Sequence, residues 1–152
     1  MGIDYIVASL PALAFGAEPA LSQEQFAQIA QGVDISKAMA RWRDLETQLR
    51  NEMARARGAE KWVRPCEGCS LFWRNRVAAC FQEKDVAKRD ELLDRVWWDA
   101  AGELIPPAEP LGKGTLAAYS IRLAIAHKRA AISREKGESA LDRQLAATAN
   151  VI

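Results

Sequence analysis

The residues with the most chemical potential are the run Cys66-Glu67-Gly68-Cys69. Two thiols at this spacing, with a glycine to permit the turn, can bite one metal ion, and Cys80 and His127 are the residues that would complete a tetrahedral zinc site. The same pair could instead act as a redox dithiol, since Cys69 stands just before a helix start whose positive end lowers a thiol pKa. Against both readings, no second CxxC or HxxxH accompanies the pair, and the strand context of a thioredoxin-like fold is missing. Cys80 falls on an apolar helix face, where a free cysteine behaves as a small hydrophobe. The commoner role of such an isolated pair is structural. Ser70 follows Cys69 where covalent haem attachment needs a histidine.

His127 is the only histidine, and Leu123, Ala124, Ala130 and Ala131 surround it one helical turn away. In such a setting a histidine is more often a packed helix-face residue than a base or ligand. Glu46, Asp90, Glu91 and Asp94 alternate with Arg and Lys at helical spacing, the pattern of a solvated face with weak ion pairs. There is no Walker-type loop, no GxGxxG, no HExxH and no GxSxG, so the residues give catalysis no foothold. Trp42, Trp73 and Trp97 lie on apolar stripes and are expected in the core. Trp98 lies about a hundred degrees off its helix's stripe and is a candidate contact for another helix or another protein. Arg122, Arg129 and Lys136 share one narrow polar stripe, which would suit an acidic partner surface or a solvated face.

The elements that must carry these residues are almost all helical. Ser22 and Gln25 form a capping-box pattern opening a short helix with Phe26, Ile29 and Ala30 inward, and Gly32 closes it. A long helix from Ser36 to Arg57 carries Met39, Trp42, Leu45, Leu49 and Met53 on one stripe. Pro65 and Gly68 break the chain, leaving Trp62 and Val63 to lie extended. Ser70 then caps a helix that places Trp73, Val77, Cys80 and Phe81 on one face. Asp85 starts another that runs to Leu104, with Val86, Leu93, Val96, Trp97 and Ala100 aligned. Pro106, Pro107 and Pro110, with Gly112 and Gly114, make residues 105–114 a stiff extended connector. The last helix, from Thr115 to about Leu145, is apolar round much of its circumference and reads as a central element packed on more than one side. Residues 146–152 are expected to fray.

One apolar segment, Tyr5 to Gly16, does not read as an amphipathic helix, and residues 1–20 are expected to be an extended strip laid along the bundle. Asp4, the lack of Lys or Arg before the apolar run, and Pro11 within it argue against a secretory signal. Ile6 stands where a myristoylation signal wants Ser or Thr, and no run approaches a membrane span. With 21 basic and 20 acidic residues the chain lacks the field for nonspecific nucleic-acid binding. Three cysteines in a chain of ordinary core-forming composition point to a reducing, cytoplasmic setting.

Four segments have a recognisable order: Tyr5 to Gly16 followed by Pro19 and Ser22 to Phe26; Arg41-Trp-Arg-Asp-Leu-Glu-Thr-Gln-Leu-Arg-Asn-Glu; Leu92-Leu-Asp-Arg-Val-Trp-Trp; and Ala118-Tyr-Ser-Ile-Arg-Leu with Arg134-Glu-Lys-Gly. Together they resemble a small bacterial family of unknown function encoded in V-type ATPase operons. That family is similar in flavour to the helical C/d-type subunit that caps the central rotor of V- and A-type ATPases. The resemblance implies an all-helical accessory or assembly component with ATPase subunits as partners, and it carries over no catalytic residues. The expected molecule is thus an all-α single domain of about five helices. Its expected role is a noncatalytic subunit associated with a V-type ATPase; a metal or thiol protein centred on Cys66 and Cys69, and an unrelated helical homodimer, are the alternatives.

Overall fold

The computed structural model describes residues 2–66, 68 and 70–150. Among them the chain is helical and contains no strand. The elements are α1 (Ile3–Ser9), α2 (Gln23–Ile29), α3 (Ser36–Ala56), α4 (Leu71–Cys80), α5 (Val86–Ala101) and α6 (Lys113–Ala149), with 3-10 turns at Glu60–Trp62 and Gly102–Leu104.

Local chemistry sets most of these boundaries. The Gln25 amide donates to the Ser22 hydroxyl at 3.0 Å and the Ser22 amide donates to Gln25 Oε1 at 2.9 Å, so two otherwise orphaned donors open α2 satisfied. Asp85 Oδ1 accepts from the Ala87 and Lys88 amides at the start of α5. Ser70 occupies the cap position of α4, but its hydroxyl accepts no capping bond. The α3 helix ends at Gly58, whose φ of 72° is the left-handed conformation that a side chain resists.

Two apolar clusters result. The larger joins α3, α4 and α5 to one side of α6 through Trp42, Leu49, Trp73, Val77, Val96 and Ala117. The smaller sets Ile6, Val7, Leu21 and Phe26 against Leu116 and Leu123 of α6. The last helix is therefore the wall shared by both clusters, as its apolar circumference implied. Ile29 and Val86 are exposed, at the open ends of their stripes.

The N-terminal segment differs from the expected extended strip. Ile3 to Ser9 is a helix with Ile6 and Val7 buried, because Ile3, Ile6, Val7 and Leu10 recur at the three- and four-residue spacing of a helical stripe. Pro11 stops it. The chain then crosses α6, where the Tyr119 hydroxyl donates to the Pro11 carbonyl at 2.7 Å. Met1 lies outside the described residues. The cover for this segment comes from α2 and α6; Trp62 stands in a solvent-exposed 3-10 turn.

Two further expectations need correction. The proline connector folds into successive turns, with the Glu109 amide donating to the Pro106 carbonyl at 3.0 Å and Gly112 to Glu109 at 3.2 Å. It brings α6 so close to the preceding turn that a β-carbon on Gly114 would collide with the Leu104 carbonyl oxygen. At the other end α6 stays helical to Ala149, with Val151 and Ile152 outside the described residues. Its 37 residues span about 55 Å. From Ser133 onward every described residue is exposed, so the second half of α6 projects from the body as an arm.

Candidate functional site

Asn51, buried on α3, grips the loop that carries Cys66. Its Nδ2 donates to the Arg64 carbonyl and its Oδ1 accepts from the Arg64 amide, each at 2.8 Å. Asn51 Nδ2 also reaches Cys66 Sγ at 3.5 Å, and the Cys66 thiol donates to the Gly68 carbonyl at 3.6 Å. Cys69 lies outside the described residues. Cys80 is buried in the larger cluster, where its thiol donates to the Arg76 carbonyl at 3.3 Å and burial pushes its pKa up. His127 Nε2 donates to the Leu21 carbonyl at 2.9 Å and ties α6 to the segment before α2. Among the described residues no three His, Cys, Asp or Glu side chains converge. Cys66, Cys80 and His127 each make a separate contact, and the pairing of Cys66 with Cys69 falls outside the described residues.

Of its two readings, contact with another helix or with another protein, Trp98 takes the first. It is 7% exposed, with the Phe15 ring set edge-on at 5.6 Å and the Arg122 guanidinium 5.4 Å from its ring centroid. Arg122 Nε donates to the Trp98 carbonyl at 3.0 Å, and burial lowers the guanidinium's pKa below its usual value. Trp97, expected in the core, is only half-buried. The reason is that α5 is covered on a second side by the segment after α1, which periodicity along α5 alone does not reveal.

The expected basic stripe dissolves in the same way. Arg129 is buried and its Nη1 lies 3.0 Å from Asp90 and 3.1 Å from Asp94, while Lys128 lies 2.9 Å from Asp94. These charges fasten α6 to α5. Of Arg122, Arg129 and Lys136, only Lys136 stays exposed, on the projecting arm.

Two grooves among the described residues have largely apolar floors. The first lies between α4 and α5, a groove of about 450 Å³ whose floor includes Ala79, Cys80 and Val96. Phe72 and Leu92 flank it at 59% and 43% exposure. Large apolar side chains gathered this way are costly to leave in water and mark contact surfaces.

The second is a groove of about 630 Å³ bounded by α3, the turn after it, α5 and α6. Its floor is Met53, Ala54, Leu93, Trp97 and Ile125. Along one rim run Arg50 and Arg57 of α3, then Arg64 and the 67% exposed indole of Trp62. The opposite wall holds Asp90 and Asp94, occupied by Lys128 and Arg129. Among the described residues no nucleophile paired with a base lines either groove. A signal for the second groove stood in the chain: Thr47, Arg50, Ala54 and Arg57 recur at helical spacing just before Trp62. No known family model, curated protein or solved structure matches the chain.

Proposed function

We propose that this protein is a noncatalytic accessory or assembly subunit of a V-type ATPase, held at the cytoplasmic side of the complex through its helix faces. The observation that carries the interaction reading is the exposed apolar pair Phe72 and Leu92 flanking the groove between α4 and α5. The assignment to the ATPase rests on the resemblance of the Tyr5 to Gly16, Arg41 to Glu52, Leu92 to Trp98 and Ala118 to Leu123 segments to a family encoded with that enzyme. Leu92 belongs to both supports: it opens one of those segments and flanks the open groove. Among the described residues no helix is long and apolar enough to cross a membrane.

The test is co-purification of the tagged chain from cells that express the ATPase. ATPase subunits are expected with the wild-type chain and not with the Phe72→Glu/Leu92→Glu variant, whose helicity by circular dichroism is unchanged. Their absence from the wild-type preparation, including after cross-linking in the cells, overturns the reading.

A further inference from the structure

The projecting arm of α6 has a chemical polarity of its own. Leu141 and Leu145, one turn apart, are 55% and 59% exposed. Glu135, Glu138 and Asp142 stand at intervals of three and four residues and so line one edge beside those leucines. Among the described residues none of the three carboxylates is in an ion pair. The arm is thus an amphipathic helix with an apolar stripe and an acidic margin, and nothing in its own chain covers it.

The groove beside α3 has the opposite character. Its floor is aliphatic and aromatic, and its rim carries Arg50, Arg57 and Arg64. Arg57 and Arg64 are in no ion pair among the described residues, and Arg50 has only a solvent-exposed contact with Glu46 at 3.5 Å. The arm cannot fill the groove of its own chain, because Ile125 and Lys128 of the same helix line that groove and α6 runs unbroken to Ala149.

We propose that the arm of one copy docks in the arginine-rimmed groove of a second copy, with Leu141 and Leu145 on the floor and Glu138 and Asp142 against Arg57 and Arg64. A polyphosphate chain fits the groove less well, since Asp90 and Asp94 form its far wall and its floor offers aliphatic side chains. The contact is heterologous: a copy that has only its arm or only its groove engaged can add another, so association runs past the dimer unless the copies close by exchanging arms. A single helix in a groove buries less than a standard interface, which makes the association weak and salt-sensitive. It is independent of any ATPase partner.

The experiment is sedimentation velocity of the purified full-length chain over a concentration series, at low and high salt. Wild-type protein is expected to self-associate, and the charge-reversed groove variant Arg57→Glu/Arg64→Glu and arm variant Glu138→Lys/Asp142→Lys each to lose about tenfold or more in affinity. Mixing the two variants is expected to restore association, because each then meets a partner of opposite charge. Circular dichroism confirms that both fold. Wild-type protein that stays monomeric throughout overturns the proposal. So does groove-variant self-association at wild-type strength, the outcome expected if arms pair with arms, and so does a mixture no better associated than its components. Binding of a single-stranded oligonucleotide that displaces the self-contact is expected to be absent; its presence would assign the groove to nucleic acid instead.

Discussion

At the scale of single residues, polar groups that suggested chemistry turn out to be fasteners. Asn51 presents its amide to the Arg64 backbone as a neighbouring strand would, satisfying one donor and one acceptor at once. Asn51→Ala is expected to cost about 1–3 kcal/mol in urea unfolding, because both backbone groups lose their partner. Trp98→Ala is expected to cost about 3–5 kcal/mol, since the indole packs edge-on against Phe15 and under the Arg122 guanidinium. Cys80 offers a pH test. Its folded-state pKa is raised by burial, so the contribution of its neutral thiol is intact below the ordinary thiol range and is lost as pH climbs through the raised value. Under native conditions at mildly alkaline pH, alkylation of Cys80 is expected to wait for unfolding while half-buried Cys66 reacts first, as peptide mass mapping would show.

At the scale of elements, caps and glycines decide where helices begin and how near they approach. Replacing Asp85 by Ala is expected to lower stability by about 1 kcal/mol, the usual worth of an N-cap, as a shift in denaturant midpoint. The Ser22 and Gln25 box, the run of α3 and the stop at Gly58 were legible in the chain, since each depends on neighbours in sequence. The helix at Ile3–Ser9 was legible in retrospect from its spacing, but a seven-residue stripe cut off by Pro11 is too short for periodicity to stand out. Trp98 is buried more deeply than Trp97, which packs only partly against the larger cluster, for a different reason. Which side of α5 is covered depends on Phe15 and Arg122, residues remote in sequence, and no local pattern encodes that choice. The grooves share this origin: their rims come from three or more elements, so only the α3 edge could be read in advance.

At the scale of the whole molecule, a two-cluster body and an exposed arm divide stability from association. Because every described residue from Ser133 is exposed, substituting Leu141 and Leu145 together by Lys is expected to leave the thermal midpoint within a degree or two of wild type. Substituting Leu123, buried in the smaller cluster, by Ala is expected to cost about 2–5 kcal/mol and to loosen the N-terminal segment first, as hydrogen exchange at α1 and α2 would report.

The hydrogen bond from Tyr119 to Pro11 spans 108 positions of chain. On a ribosome adding about 5–20 residues each second, the segment from Ile6 to Phe15 emerges and then waits roughly 5–20 seconds before the helix that shelters it has been made. For that interval its apolar side chains face the crowded exit of the ribosome with only the short α2 beside them and without the α6 side of their native cover. The nascent chain's most vulnerable period is therefore written into its topology, and a holdase that shields this early segment would protect the yield of folded protein more than one acting on any later helix.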